Sequence, residues 1–199
     1  KGNWDINQPL IIPKGYKLII KNGTNINLIN NSYIVSFEAI EVLGTKLYPV
    51  NIFSSDKSGN GIAVYNASDV SKINYLNLSN MKATSYQGIK LTGALNFYES
   101  DSNIKNLNIF DNFSEDGINI IRSNVILTDS TFKEIYSDAI DLDFCTGTLS
   151  NLYFENIGND GLDFSGSSAE VRKVIMKNLG DKGISAGEKS KIIINYAEI

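Results

Sequence analysis

The chain has 199 residues, enough for one domain with a substantial core, and 42% of them are hydrophobic. Its formal charge of −4 and acidic pI near 4.9 argue against a nucleic-acid partner, which requires a basic face. No run of 18 apolar residues predicts a membrane span, and the single Cys145 leaves no intramolecular disulfide.

Residues 1 to about 50 lack the phrase that marks the rest of the chain, and they hold all three prolines, Pro9, Pro13 and Pro49. "YKLIIKNGTNINLI" reads as two short strands joined by an Asn22-Gly23 turn. This segment is expected to form irregular opening coils, because the terminal units of a solenoid differ from its interior ones. The unit from Gly61 to Tyr86 is longer than the others and is expected to bulge from the stack.

From Gly93 onward a repeat takes over. Asp116-Gly117-Ile118-Asn119, Asp138-Ala139-Ile140-Asp141 and Asp160-Gly161-Leu162-Asp163 follow one another at steps of 22 residues. Lys182-Gly183-Ile184-Ser185 continues the series, and Gly93-Ala94-Leu95-Asn96 precedes it by 23. Each phrase is followed by an alternating stretch such as "NVILTDSTF" or "TLSNLYFEN", which has the period of a strand. Short strands and turns at this period, with no amphipathic helix, predict an all-β chain: a right-handed parallel β-helix of about 22 residues per coil. The competing leucine-rich repeat lacks its Leu/Asn pattern and its helical half here. Residues 1–199 are thus expected to form a single domain, with regular coils over 51–199. The apolar ending "KSKIIINYAEI" and the start at Lys1 suggest a piece of a longer chain with further coils beyond it.

Alternation within "GLDF" turns Leu162 and Phe164 inward and Asp163 outward. Stacking then builds an outward ladder Asn96, Asn119, Asp141, Asp163, Ser185 and a turn ladder Gly93, Asp116, Asp138, Asp160, Lys182. Carboxylates about 4.8 Å apart repel and need compensation by Lys182, by a hard cation such as Ca²⁺, or by protonation. The plainer reading is that each Asp accepts backbone N–H bonds at a turn. Asp143, Arg122 and Lys189 lie at the margins of the same patch, as candidate substrate contacts with Asp141. Tyr65, Tyr86, Tyr98 and Tyr136 are candidate sugar platforms or simply packing residues.

"GNDGLD" followed 22 residues later by "GDKGISAGE" resembles two segments of polygalacturonase-type β-helix glycosidases, and "IIPKGYKLIIKNGTNI" resembles the opening of many secreted bacterial β-helix proteins. The resemblance implies acidic roles for Asp160 and Asp181, with Lys182 in place of a second Asp, and no histidine is present. The same superfamily includes pectate lyases, in which Ca²⁺ held by acidic side chains binds a uronate and a Lys or Arg removes its proton. By that resemblance Asp116, Asp138, Asp160 and Asp163 would hold Ca²⁺ and Lys182 would be the base, if desolvation lowers its pKa. Two functions stay open: a carbohydrate-active chain acting on an acidic polysaccharide by calcium-assisted elimination, or a non-catalytic structural, adhesive or glycan-binding module. Either implies an extracellular, cell-surface or periplasmic location.

Overall fold

The computed structural model describes residues 1–199 and contains strands and turns but no helix. Nearly all pairing is parallel. One sheet stacks Leu10–Ile12, Ile34–Ser36, Ile62–Tyr65, Gly93–Tyr98, Asp116–Ile121, Asp138–Asp143, Leu162–Ser165 and Ile184–Ala186 in chain order. We call this the first face. The other large sheet bends: Ser102–Asn112, Asn124–Ile135 and Thr146–Ile157 each run across two faces of the coil. The bend falls at Asn106, Asp129 and Asn151, whose φ values are 55°, 52° and 55°. Toward either end of the stack the two halves become separate strands, as with Leu18–Lys21 and Thr24–Leu28. The chain is a three-sided parallel β-solenoid.

Each of its three corners is a column of left-handed residues. Asn66, Glu99, Arg122, Phe144, Gly166 and Lys189 close the first face, and Asp111, Glu134, Asn156 and Asn178 close the third. Asn and Asp tolerate this backbone and Arg or Phe do so less readily, so the corner after the first face is the unusual one. The Asp phrase is not a corner, as its glycines suggested. It opens the first-face strand, where Asp116 pairs with Asp138 and Ile118 with Ile140.

Inside, aliphatic and aromatic residues stack coil on coil. Leu95, Ile118, Ile140 and Leu162 form one column, and Phe97, Ile120, Leu142 and Phe164 form the next, all buried. Phe132 and Phe154 stack from the opposite wall at 5.2 Å. The inward Leu162 and Phe164 and the partly exposed Asp163 follow the expected alternation.

The first fifty residues join the stack as parallel coils of uneven length. Gly2–Ile6 pairs with Thr24–Leu28, Leu10–Ile12 with Ile34–Ser36, and Leu18–Lys21 with Ile40–Leu43, all in parallel. Gly23, at φ 69°, turns a corner of the coil rather than a hairpin, so the strands around it pair with neighbouring coils and not with each other. The excursion is also shorter than expected. Ile62–Tyr65 and Ser71–Ser79 belong to the stack, and only the stretch around the antiparallel pair Ser85–Tyr86 and Ile89–Lys90 leaves it. That hairpin roofs the outer side of the first face. There Val35, Ala63, Tyr65 and Leu91 form a second apolar cluster with Phe37, Tyr86 and Tyr98.

A serine column runs beside the first corner. Ser100, Ser123 and Ser167 each donate to the carbonyl two residues back, and Ser123 and Ser167 accept the N–H of Ser100 and Cys145. Cys145 occupies the same column, with its Sγ on the Ile120 and Asp143 carbonyls. The next member is Ser190, whose hydroxyl accepts the Ser167 N–H.

Candidate functional site: an aspartate strip on the first face

Where the aromatic roof ends, the outer side of the first face becomes acidic. Its register places Asn96 against Asn119, Asn119 against Asp141, Asp141 against Asp163 and Asp163 against Ser185, as the repeat implied. Asn96 is fully buried and bonded to Gly93 and Ile62, so it closes the ladder structurally. Asn119 donates to the Asp141 carboxyl at 2.9 Å. Asp141, Asp143 and Asp163 are partly exposed along the strip.

The second Asp column divides in its role. Asp138 accepts the Asp160 N–H at 2.8 Å and the Asn159 amide at 2.7 Å, while Asp160 accepts the Lys182 N–H at 2.8 Å. These two therefore accept backbone N–H groups, as the plainer reading expected, but from the next coil rather than within a turn, and so staple each coil to its neighbour. Asp116 is different: it is 2% exposed, and its Oδ2 has no hydrogen-bond partner.

The consequence is a set of carboxyls that resist ionisation. Burial pushes Asp116 up to about 7, against an opposing hydrogen bond involving Thr92 and with help from the charges of Asp138, Glu115 and Asp163. Burial likewise pushes Asp141 up to about 8, and Asp116, Asp143 and Asp163 add their repulsion. Asp138 and Asp143 are raised too, chiefly by burial, although hydrogen bonds from Asp160 N–H and Asn159 oppose the first and Arg122 the second. Compensation on this face thus includes protonation of its buried members.

The expected base sits elsewhere in character. Lys182 is exposed, ion-paired with its neighbour Asp181, and 3.9 Å from Asp160. The Asp181 hydrogen bond raises its pKa, and the Asp160 charge adds to that, whereas a general base needs it lowered. Asp181 is exposed and outside the strip, and Lys189 lies at the first corner with φ 61°.

The carboxyls are spread along the stack. No group of three or more acidic, Cys or His side chains is arranged to hold a metal. Stacking spaces equivalent carboxyls about 4.8 Å apart, and Asp138 and Asp160 already spend oxygens on backbone N–H groups. Asp138 and Asp160 thus have fewer oxygens left for an ion than the sequence expectation assumed.

Arg122 and an aromatic residue that sequence reasoning missed complete the strip. The Arg122 guanidinium lies between the rings of Tyr98 and Phe144, 5.9 and 5.8 Å from their centroids, and bonds the Tyr98 hydroxyl at 2.9 Å. Its nearest carboxylate, Glu99, is 3.8 Å away, and Phe144 is 61% exposed. The available signal for Phe144 was its place 22 residues after Arg122.

No protein-family model matches the chain, and no curated protein sequence matches it. Among solved structures, the chain is similar to a protein of Parabacteroides merdae whose assignment as a glycosyl hydrolase is itself provisional. That likeness has a TM-score of 0.46 at 10% identity and covers 83% of this chain and 82% of the other. It is also similar to QnrB1, a plasmid-mediated fluoroquinolone resistance protein, with a TM-score of 0.28 at 14% identity over 96% and 91% of the two chains. Likenesses this weak carry no argument about this chain.

Proposed function

We propose that the aspartate strip is a polysaccharide-binding surface and that the chain is a carbohydrate-associated β-solenoid working outside the cytoplasm, at the cell surface, in the medium or in the periplasm. The observation that carries this is the run of Asp141, Asp143 and Asp163 across two successive coils, open beside the exposed ring of Phe144. Ionised carboxyls accept bonds from sugar hydroxyls, a protonated Asp141 donates one, and the ring offers a flat face to the C–H side of a sugar. A strip running along the solenoid axis suits an extended polymer.

Two features favour chemistry beyond binding. Asp141 keeps its proton to about pH 8, and its register partner Asp163 lies one coil away, about 4.8 Å along the stack. Retaining glycosidases hold their acid and nucleophile about 5–5.5 Å apart, so a pair one coil apart favours a reading of acid-assisted hydrolysis. The ring-held Arg122 instead favours an acidic sugar, whose carboxylate its free N–H groups would meet. Calcium-assisted elimination has less support, given the ion-paired Lys182 and the spread carboxyls.

The test is retention on immobilised neutral polysaccharides (cellulose, xylan, galactomannan) and uronates (polygalacturonate, alginate), with reducing ends and unsaturated products assayed in parallel. Retention that is lost in Asp141→Asn supports the strip. New reducing ends lost in the same variant add hydrolysis, unsaturated ends would restore elimination, and no retention on any polymer overturns the proposal.

A further inference from the structure

We propose that the hairpin Ser85–Lys90 is a flap, and that the aromatic row beneath it is a covered length of the binding surface, opened when an extended polysaccharide lifts the flap. The inference rests on the reading of the neighbouring strip as a polysaccharide surface.

The row and the strip share one column of the stack. Register sets Tyr65 against Tyr98, Tyr98 against Ile121 and Ile121 against Asp143, and Phe37 precedes Tyr65 by one coil. The apolar members stand on the outer side of the first face, in a cluster separate from the interior core. Phe37 stacks on Tyr65 with centroids 6.0 Å apart, and Tyr65 lies 6.1 Å from Tyr98. Tyr98 then meets Arg122, the cation at the open end of the row, through both its ring and its hydroxyl. Three outward rings on three successive coils thus lead into the exposed strip, and the hairpin covers them.

The hairpin is tied to the stack only at its roots. Ser85–Tyr86 pairs with Ile89–Lys90 and with no strand of the solenoid, and the Leu91 N–H closes the loop on the Thr84 carbonyl. The bonds to neighbouring coils lie outside this span: Lys82 N–H donates to Gly59, the Thr84 hydroxyl to the Asn60 carbonyl, and Asp116 N–H to Thr92. Within the span two side chains hold the hairpin down. The Tyr86 ring meets Phe37 at 5.6 Å and Tyr65 at 6.4 Å, and Leu91 is buried. A segment with so few ties opens locally while the rest of the fold stays formed.

The closed arrangement also leaves a polar atom unsatisfied. Tyr65 is 2% exposed, and its hydroxyl has no hydrogen-bond partner under the hairpin. A buried hydroxyl without a partner opposes the closed state, and lifting the flap gives it a sugar hydroxyl or water. Tyr65 and Tyr98 each offer a flat face and a polar edge, which match the C–H face and the hydroxyl edge of a sugar ring. A polymer lying on the strip and extending along the stack would reach these rings next.

The experiment measures affinity for the same neutral and uronate polymers with the wild type, Leu91→Ala, Tyr86→Ala, the double variant Leu91→Ala/Tyr65→Ala, and Asp163→Asn. A closed flap lowers the apparent affinity by the fraction of molecules that are open, so loosening it tightens binding. Leu91→Ala and Tyr86→Ala should each bind a polymer about tenfold more tightly than the wild type, and adding Tyr65→Ala should cancel the gain. Both side chains lie outside the interior core, so both single variants should melt close to the wild type. Hydrogen exchange reads the flap itself: N–H groups from Tyr86 to Leu91 should exchange before those of Ile62–Tyr65, and faster still with polymer bound. Equal or weaker binding by both loosened variants, a gain that survives Tyr65→Ala, or slower hairpin exchange with polymer bound overturns the flap. If Asp163→Asn abolishes binding in that case, the strip survives. No binding by any form overturns both.

Discussion

Replacing Asp116 by Asn removes a titrating group that the fold holds out of its preferred state. The carboxyl is held at about 7 in the folded chain against an ordinary value of 3.8. Each step of one in pKa is worth about 1.4 kcal/mol, so the ionised form costs the fold ~4 kcal/mol, a large part of an ordinary domain stability of roughly 5–15 kcal/mol. The sign follows from proton counting. Between the two values the folded chain keeps a proton that the unfolded chain has released, so stability is fullest below the unfolded value and falls as pH rises toward 7. Asp141, held at about 8, acts in the same direction. Glu41 and Glu155 are lowered by hydrogen bonds from Lys17 and Lys133, so they shift in the opposite direction and act at pH below that window. Urea unfolding of the wild type from pH 4.5 to 9 should therefore show stability declining by up to about 1.4 kcal/mol per pH step for each such group. Asp116→Asn should differ least from the wild type near pH 4.5 and gain a further ~3 kcal/mol on it by pH 9. A wild type that gains stability between pH 5 and 8, or a variant whose difference is the same at both ends, refutes the assignment of a buried protonated carboxyl.

Other outcomes follow from the same stack. Cys145→Ser restores the hydroxyl of its column and should change stability by no more than about 1 kcal/mol by thermal melt, a loss above about 2 being contrary. Burial pushes the Cys145 thiol up to about 11, so a thiol reagent at pH 8 should label it only after unfolding. Phe154→Ala removes one ring of the internal stack and should cost about 3–5 kcal/mol, with the pH slope unchanged. Millimolar calcium or a chelator should leave the melting temperature where it is, and a saturable rise abolished by Asp160→Asn would contradict the reading of Asp160 as a staple between coils.

The period and the inner and outer sides of the first face were legible because a two-residue alternation within a 22-residue step admits little else: Leu162 and Phe164 had to point together, and Asp163 away from them. The way the first coils join the stack was not legible from the Asp phrase, which they lack. The repeat is the inward aliphatic pattern, which Leu10–Ile12 and Ile34–Ser36 carry without any Asp. The roof over Tyr65 and Tyr98 was not legible, since it depends on where the Ser85–Lys90 hairpin folds back. At the site, the carboxyl ladder was readable but its state was not. Whether Asp160 binds an ion or a backbone N–H is decided by distances of an ångström, and Lys182 is taken by Asp181, its own neighbour.

The most direct measurement is affinity electrophoresis through gels containing each polysaccharide, comparing the wild type with Asp163→Asn and Phe144→Ala. Both side chains are partly or largely exposed, so both variants should melt close to the wild type. The account predicts that a polymer retards the wild type and that either substitution relieves the retardation. Equal retardation of all three, or none on any polymer, contradicts it.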